Sequence, residues 1–282
     1  MLYLITGATG NIGSLVVQRL MEVGVRLRVF VRDLKKAQTL YGDRVDIVIG
    51  DLADAVAVKA ALTAADKVFL VNSGHELAGQ DGIAAKAAKV AGVKHVVKLS
   101  SYDVRPKVGT GVWHAQGESA IRASGVPFTF LQPSGFMSNA LFWARSIKAD
   151  GVVRSSTGDG KIPFIHAQDI AEVATRVLTS QRYDGESLPI TGPEALSYAE
   201  MTAKIGRAIG KPIQFESIAQ EEERRQMIAR GDLPEIVAAH LSIYRAIREG
   251  RLAMVTDTVE SVLGRKPITF DAWARENAAL FC

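Results

Sequence analysis

The chain has 282 residues, of which 48% are hydrophobic and 23% are charged, and its formal net charge is +4. This composition excludes a disordered chain, and no apolar run approaches the roughly 20 residues that a membrane-spanning helix needs. The basic residues are scattered among acidic ones, as in 221–225, and no zinc-finger or RNP-like motif accompanies them, which argues against a nucleic-acid partner. The single cysteine, Cys282, and the strand-like segment directly after Met1 predict a cytoplasmic protein without a secretion signal.

The first half of the chain alternates short β-branched runs with Ala-rich amphipathic segments. The pattern predicts strands at 2–6, 27–31, 45–49, 67–71, 95–100 and 128–132, and helices at 11–23, 34–41, 54–65, 78–91 and 112–124. These strands are brief, continuous apolar runs, as expected of parallel strands that are buried on both faces. Alternating strands and helices predict an α/β fold with a doubly wound parallel sheet, the Rossmann architecture, over residues 1–133.

The second half of the chain is less regular and contains neither a repeat nor a linker. It is predicted to form a smaller, mixed, mostly helical C-terminal substrate lobe over residues 134–282, packed on the first domain, from which some segments could return to the sheet. We expect helices at 135–147, 167–180, 197–209, 219–230 and 233–249, strands near 151–154, 163–166 and 187–190, and a helical end beyond 256. Ligands of open α/β sheets bind at the carboxyl ends of the strands, where such a lobe would cover them.

A glycine-rich turn joins the first predicted strand to the first predicted helix. It reads Ile5-Thr6-Gly7-Ala8-Thr9-Gly10-Asn11-Ile12-Gly13. Glycines at this spacing allow a tight turn, a close approach of the backbone to a pyrophosphate, and close packing of helix on strand. The helix N-terminus would then hold the phosphates of a dinucleotide. The cofactor-binding residues predicted here are Gly7, Thr9, Gly10, Asn11, Ile12 and Gly13.

The residues after the second strand bear on which nicotinamide cofactor binds. The chain reads Val31-Arg32-Asp33 at this point, and Lys36 follows shortly after. Arg32 can form two hydrogen bonds with a ribose 2′-phosphate and stack on adenine, and Lys36 adds positive charge. Asp33 is the type of residue that binds the 2′-hydroxyl of NAD, but it stands one position beyond the strand end. The sequence therefore favours NADP(H) over NAD(H).

Small and polar residues end the third, fourth and fifth strands as well. Asp51 and Leu52 follow the third strand, where a carboxylate could accept a hydrogen bond from the adenine amino group or cap a helix. The fourth strand ends in Val71-Asn72-Ser73-Gly74, which would lie under the riboses of the cofactor. The predicted cofactor site is completed by Asn72, Ser73, Gly74 and Ser100.

With these residues in place, the chain resembles the NmrA-like atypical short-chain dehydrogenase/reductases. The resemblance extends over nearly the whole chain, which is similar to the family's quinone oxidoreductases and triphenylmethane reductases. It is carried by the Gly-x-x-Gly-x-x-Gly turn and by residues 93–102, 114–121, 124–133 and 165–171. Gln132 departs from the pattern, because relatives commonly have an arginine before this proline.

The resemblance implies candidates for catalysis on the helix at 112–124. Ordinary short-chain dehydrogenases carry Tyr-x-x-x-Lys on this helix, whereas this chain has His114-x-x-x-Glu118, as is typical of the NmrA-like relatives. His114 or Tyr102 would orient or protonate the acceptor, or water would supply the proton. Glu118 shares a helix face with His114 and is the third catalytic candidate.

The resemblance leaves two principal functions open. In the first, NADPH transfers a hydride to a small aromatic or conjugated acceptor such as a quinone, a dye, a carbonyl compound or an enone. In the second, the chain binds NADP(H) without turnover and reports the redox state to a regulatory protein partner. An epimerase or lyase is a third alternative, which the missing Tyr–Lys pair disfavours. The sequence favours the reductase, and it leaves a homodimer open.

An aromatic cluster after Pro133 is the candidate for the substrate pocket. Its members could line an apolar pocket for an aromatic ligand or could belong to the core, since their spacing is nearly helical. His166 and Asp169 lack further ligands at suitable spacing, so no metal site is predicted. The predicted pocket residues are Phe136, Met137, Phe142 and Trp143.

Overall fold

The computed structural model describes residues 1–282 without a gap. In chain order the strands and helices are β1 (Leu2–Thr6), α1 (Asn11–Val23), β2 (Arg26–Val31), α2 (Leu34–Tyr41), β3 (Asp46–Ile49), α3 (Ala55–Leu62), β4 (Lys67–Leu70), α4 (Leu77–Ala91), β5 (His95–Leu99), α5 (Gly111–Ser124) and β6 (Phe128–Pro133). There follow α6 (Ala144–Asp150), β7 (Val152–Ser155), β8 (Lys161–Ile162), α7 (Ala167–Leu178), β9 (Ser187–Ile190), β10 (Leu196–Ser197), α8 (Tyr198–Ile209), β11 (Gln214–Ser217), α9 (Gln220–Ala229), α10 (Pro234–Arg248), α11 (Thr258–Leu263) and α12 (Phe270–Glu276). Four short 3-10 helices cover Gly42–Arg44, Tyr102–Val104, Met137–Trp143 and Ala278–Phe281.

Seven strands form one sheet in the order β3-β2-β1-β4-β5-β6-β9. Neighbouring strands from β3 to β6 run parallel, and the order reverses direction between β1 and β4. Such a reversal opens a crevice at the carboxyl ends of β1 and β4, which is where doubly wound folds bind their ligands. The predicted doubly wound α/β fold is therefore confirmed.

The chain divides into two units, each with its own core. The first consists of Met1–Ser101, Val112–Gln132 and Ile170–Leu188. Its apolar core lies between the sheet and the helices α3, α4 and α5, and includes Leu4, Leu70, Val96, Ile121 and Phe130. Burial on both faces explains why these strands are continuous apolar runs in the sequence.

The second unit consists of Tyr102–Gly111, Pro133–Asp169 and Pro189–Cys282. It contains two small two-stranded sheets, β7 with β11 and β8 with β10. Its core is rich in aromatic rings, among them Phe164, Tyr198, Phe270 and Trp273. The predicted boundary at residue 133 does not coincide with the limits of these units, because residues 170–188 belong to the first unit and residues 102–111 to the second. The predicted domain boundary stays a prediction.

Two of the predicted elements in the second half are wrong. The helix expected at 135–147 begins as the 3-10 helix Met137–Trp143 and becomes α-helical only at Ala144. Ser138 and Asn139, whose side chains compete for backbone hydrogen bonds, disfavour an α-helix there. The strand expected at 163–166 lies instead at Lys161–Ile162, because Pro163 has no amide hydrogen to continue the pairing. No helix of the molecule is both long and apolar enough to cross a bilayer.

Candidate active site

The glycine-rich turn after β1 is packed so tightly that glycine is required at positions 7 and 13. Gly7 has a φ of +57°, and a Cβ atom there would lie 3.0 Å from the side chain of Val71. A Cβ atom on Gly13 would lie only 2.2 Å from the carbonyl oxygen of Gly7. Gly10 is the N-cap of α1, and no side chain caps this helix. The turn thus presents the N-terminus of a 13-residue helix, which favours a bound anion such as a diphosphate.

The other predicted residues of the turn differ in exposure. Gly10 and Asn11 are exposed, Thr9 is half-buried, and Ile12 is buried against the sheet. Gly10 N–H donates to the carbonyl oxygen of Gly7 at 2.9 Å, which closes the turn. The residues at the start of the helix that remain accessible are therefore Thr9, Gly10 and Asn11, whereas Ile12 is buried.

Arg32 and Asp33 lie side by side at the end of β2 but have different surroundings. The Arg32 side chain is 85% exposed, and its guanidinium lies 4.0 Å from the carboxylate of Asp51. Asp33 is the N-cap of α2, where its carboxylate accepts a hydrogen bond from the backbone N–H of Lys36. Because the Asp33 carboxylate caps α2, it is engaged within the protein, whereas the Arg32 guanidinium is exposed at the surface. This arrangement favours a 2′-phosphate over a 2′-hydroxyl as the ligand.

Asp51 and Leu52 follow β3 in the first unit, as predicted. The Asp51 carboxylate accepts a hydrogen bond from the backbone N–H of Ala53 at 2.8 Å, so it stabilises its own turn. Leu52 is half-buried against the apolar core. Ser73 and Gly74, after β4, are exposed and half-buried, respectively, and Gly74 has a φ of +93°.

Asn72 lies in a hydrogen-bond network that the sequence analysis missed. Its amide group donates to Asp81 Oδ1 at 3.0 Å, and its carbonyl oxygen accepts a hydrogen bond from Lys98 Nζ. Lys98 Nζ also lies 3.0 Å from Asp81 Oδ1, and the side chains of both ions are 0% exposed. Burial lowers the pKa of Lys98 and raises that of Asp81, whereas the mutual attraction of the two ions opposes both shifts.

A second buried network contains Ser100 and Glu118. Glu118 Oε1 accepts hydrogen bonds from the hydroxyl of Ser100 at 2.6 Å and from the side-chain amide of Gln132 at 2.8 Å. All three residues are buried. Gln132, which departs from the family pattern, therefore has a definite role here as a donor to the Glu118 carboxylate.

His114 lies on α5, one turn before Glu118. Burial, together with the positive charge of Lys98, lowers the pKa of His114 to about 3. Its Nδ1 atom is buried and has no hydrogen-bond partner. The imidazole is thus neutral at physiological pH, and its Nδ1 atom has no partner within the protein.

The remaining predicted residues lie in the second unit. Tyr102 and Met137 are buried in its core, and burial raises the pKa of Tyr102. Trp143 is half-buried and tilted against Tyr198, with 4.8 Å between the ring centroids. In contrast, the Phe142 side chain is 86% exposed. Phe136 is half-buried and forms an isolated bridge with Ile165.

His166 and Asp169 each have a polar partner within the protein, which agrees with a structural role for both side chains. His166 Nε2 lies 3.3 Å from Glu276, and Asp169 accepts hydrogen bonds from Arg265 at 2.7 Å and from the backbone N–H of Ile268 at 2.8 Å. No group of three or more potential metal ligands occurs in the structure.

Comparison with known proteins identifies the family. The model of the NmrA-like family matches residues 2–273. The chain belongs to the NmrA-like family. The predicted resemblance is therefore confirmed, and it extends to curated relatives and to solved structures.

Among the relatives of this NmrA-like chain is the NAD(P)H azoreductase of Xenophilus azovorans, with 36% identity over 99% of this chain and 98% of the relative. The (4-alkanoyl-5-oxo-2,5-dihydrofuran-3-yl)methyl phosphate reductase of Streptomyces griseus is 37% identical over 99% of this chain and 98% of the relative. The NADPH-dependent quinone oxidoreductase of Escherichia coli, solved with NADPH, superposes with a TM-score of 0.88 at 26% identity and covers 98% of each chain.

The residues that sequence reasoning missed in this NmrA-like chain are Lys98 and Asp81. A signal for Asp81 exists, because Asp81, Ala84, Ala85 and Ala88 have the spacing of one helix face and are all buried. A charged residue on an apolar helix face indicates a buried partner. Lys98, in the buried strand β5, is that partner.

Proposed function

We propose that this chain is a reductase that transfers a hydride from NADPH to a small aromatic or conjugated acceptor. The observation that carries the proposal is the uncapped N-terminus of α1 behind a turn in which Gly7 and Gly13 leave no room for a Cβ atom, with the exposed Arg32 guanidinium after the neighbouring strand. The reductase class and the cofactor predicted from the sequence agree with the relatives, which are named as NAD(P)H- and NADPH-dependent enzymes.

Cofactor binding is assigned to the residues at the carboxyl ends of the strands. The start of α1 would hold the diphosphate through Thr9, Gly10 and Asn11. Arg32 and Lys36 would bind the 2′-phosphate, since Asp33 is engaged at the N-terminus of α2. The adenine would contact Asp51 and Leu52, and the riboses would lie on Ser73, Gly74 and the backbone of Asn72, with Ser100 nearby.

The catalytic groups of the chain orient the acceptor rather than supply a strong acid. Bound NADPH supplies the hydride. With a pKa of about 3, His114 is not an imidazolium acid, and we assign it the role of a neutral hydrogen-bonding group toward the acceptor. Glu118 fixes Ser100 and Gln132 and acts as a positioning residue. Solvent provides the proton that follows the hydride, with the Tyr102 hydroxyl as the alternative donor.

The acceptor is assigned to the aromatic side chains after β6. Phe142 is exposed, and Phe136 and Trp143 are half-buried, so each presents part of a ring for contact with a flat, conjugated molecule. Met137 is engaged in the core of the second unit. The names of the relatives support an acceptor of this type, namely an azo compound, a quinone or an unsaturated ring.

The experiment that tests the proposal is a panel of acceptors. Purified protein is incubated with NADPH and, separately, with quinones, azo dyes, triarylmethane dyes, enones and aldehydes, and NADPH absorbance is followed. We expect turnover with at least one aromatic or conjugated acceptor and a lower rate with NADH. Tight NADPH binding without turnover on the whole panel would refute the reductase and support the sensor.

The cellular setting stays a prediction. The single exposed cysteine is the basis for the cytoplasmic assignment. A homodimer and a regulatory protein partner are likewise proposals, which sedimentation and affinity capture with and without NADPH would test.

A further inference from the structure

A fully buried ammonium group lies at the carboxyl end of β5 in the first unit. Lys98 is the fourth residue of this strand, and its side chain is 0% exposed. Its Nζ atom lies 3.0 Å from Asp81 Oδ1 on α4 and donates a hydrogen bond to the side-chain oxygen of Asn72. None of the roles assigned under the proposed function uses Lys98 or Asp81.

Stability alone does not account for this pair. Desolvation of two ions costs several kcal/mol each, and replacing a buried ion pair by apolar residues of similar volume is often neutral or stabilising. The rest of β5 is buried, and a Leu or Met at position 98 would continue the apolar core formed by Val96 and Leu70. The charged pair therefore points to a role that an apolar side chain could not perform.

What the pair holds is the segment that follows β4. The Asn72 amide donates to Asp81 Oδ1 at 3.0 Å, to the carbonyl oxygen of Leu77 at 3.2 Å and to Gln80 Oε1 at 3.2 Å. Since its oxygen accepts from Lys98, both ends of the Asn72 amide group are fixed from inside the protein. The segment 73–76, most of which is exposed, is thereby tied to the core through Asn72, the residue that precedes it.

We propose that Lys98 is a positioning residue of the cofactor site: together with Asp81 it holds Asn72, and through Asn72 the segment 72–76, in the conformation that receives the cofactor. The link to the cofactor rests on the proposed function, whereas the ordering of the segment rests on the contacts alone. Burial is the main cause of the lowered pKa of His114, and the charge of the same ammonium group lowers this pKa as well, because it opposes protonation of the imidazole.

The test compares Lys98→Met with a matched control, Lys67→Met. Lys67 is also a buried lysine of the same sheet, but it lies at the amino end of β4, where Nζ donates to the carbonyl oxygens of Leu178 at 2.6 Å and Ser180 at 3.0 Å. Both substitutions remove one buried charge. Only the first removes the support of Asn72.

Two readouts are measured on the full-length protein. The first is hydrogen exchange, without cofactor, of the Leu77 and Gln80 amides, which donate to the carbonyl oxygens of Gly74 and Glu76 in this segment. We expect their exchange to accelerate at least about tenfold in Lys98→Met and to stay unchanged in Lys67→Met. The second is the NADPH Kd from fluorescence titration. If the segment spends only about a tenth of its time in the binding conformation, the Kd rises about tenfold.

Lys98→Met leaves Asp81 buried without its partner, so this variant can fail to fold. The double variant Lys98→Met/Asp81→Asn removes both charges, and the same changes in exchange and Kd are expected from it. If both variants unfold while Lys67→Met folds, the pair serves folding rather than positioning, and the proposal is overturned.

The proposal is also overturned if Lys98→Met shows the wild-type exchange rates and Kd, or if Lys67→Met loosens the 72–76 segment to the same extent. A failure of the proposed function has a different signature. Wild-type protein without NADPH binding or turnover would refute the reductase, while faster exchange of the Leu77 and Gln80 amides in Lys98→Met would still support the positioning role. Turnover by the wild type with no change in Lys98→Met would refute only the positioning role.

Discussion

Replacing Arg32 by alanine removes the group assigned to the 2′-phosphate and little else. The Arg32 side chain is 85% exposed, and its only ion pair, with Asp51 at 4.0 Å, is also exposed. Such surface pairs contribute at most about 1 kcal/mol, so the variant should remain folded. A hydrogen bond to a charged group contributes about 1.5–3 kcal/mol, which corresponds to a roughly 10- to 150-fold increase in the NADPH Kd.

The assay is a fluorescence titration of NADPH and NADH with the wild type, Arg32→Ala and a control. Arg26→Ala is the matched control, because Arg26 is an exposed arginine at the opposite end of the same strand. We expect Arg32→Ala to weaken NADPH binding strongly and NADH binding only slightly, and Arg26→Ala to change neither. Equal losses for the two cofactors, or an unchanged NADPH Kd, would refute the assignment of Arg32.

Four further predictions concern the glycine turn, the buried carboxylate and imidazole, and the exposed ring. Gly13→Ala places a Cβ atom 2.2 Å from the Gly7 oxygen, so thermal unfolding should show a loss of about 1–3 kcal/mol, and an unchanged Tm would contradict the packing argument. Glu118→Gln keeps an oxygen for both of its donors, so kcat should fall less than about tenfold, whereas a general base would cost about 100-fold or more. His114 has a pKa of about 3 in the folded protein and of about 6.5 in the unfolded chain. Between these two pH values, His114 is therefore protonated in the unfolded state but not in the folded state. The free energy of unfolding should therefore decrease as the pH falls from about 6.5 toward 3, by up to about 1.4 kcal/mol per pH unit from this group, and urea titrations of His114→Gln should show a shallower slope. Phe142→Ala removes an 86% exposed ring, so stability should change by less than about 0.5 kcal/mol while the KM for an aromatic acceptor rises; an unchanged KM would exclude the ring from the acceptor site.

The parts of the fold that were predictable are those that local patterns determine. The bounds of α1 and α2 agree with the sequence prediction, because a glycine lies at each end of the first and Asp33 caps the second. β1 could be predicted as a continuous apolar run, because a strand that is buried on both faces consists mainly of apolar residues. The two-residue strand β10 and the mostly exposed β11 have no such signal, and both escaped prediction.

The candidate site was predictable only where the spacing of residues along the chain determines the local structure. The glycine spacing directly indicated the turn, whereas the surroundings of His114 depend on Lys98 and burial, which are set by tertiary packing. The Lys98–Asp81 pair joins residues of β5 and α4, and a lysine within a strand gives no indication of its partner. Glu118 could be placed near His114 from helix spacing, but its donor Gln132 comes from a strand.

The return of the chain to the first unit at residues 170–188 has a practical consequence. Phe130 N–H donates to the carbonyl oxygen of Glu186, and Gly185 N–H donates to that of Phe128, so this late segment covers the edge of β6. A polypeptide truncated after Pro133 would keep the glycine turn but expose that edge, which invites edge-to-edge aggregation. A minimal nucleotide-binding fragment should therefore be assembled by splicing 170–188 behind residue 132 through a designed connector.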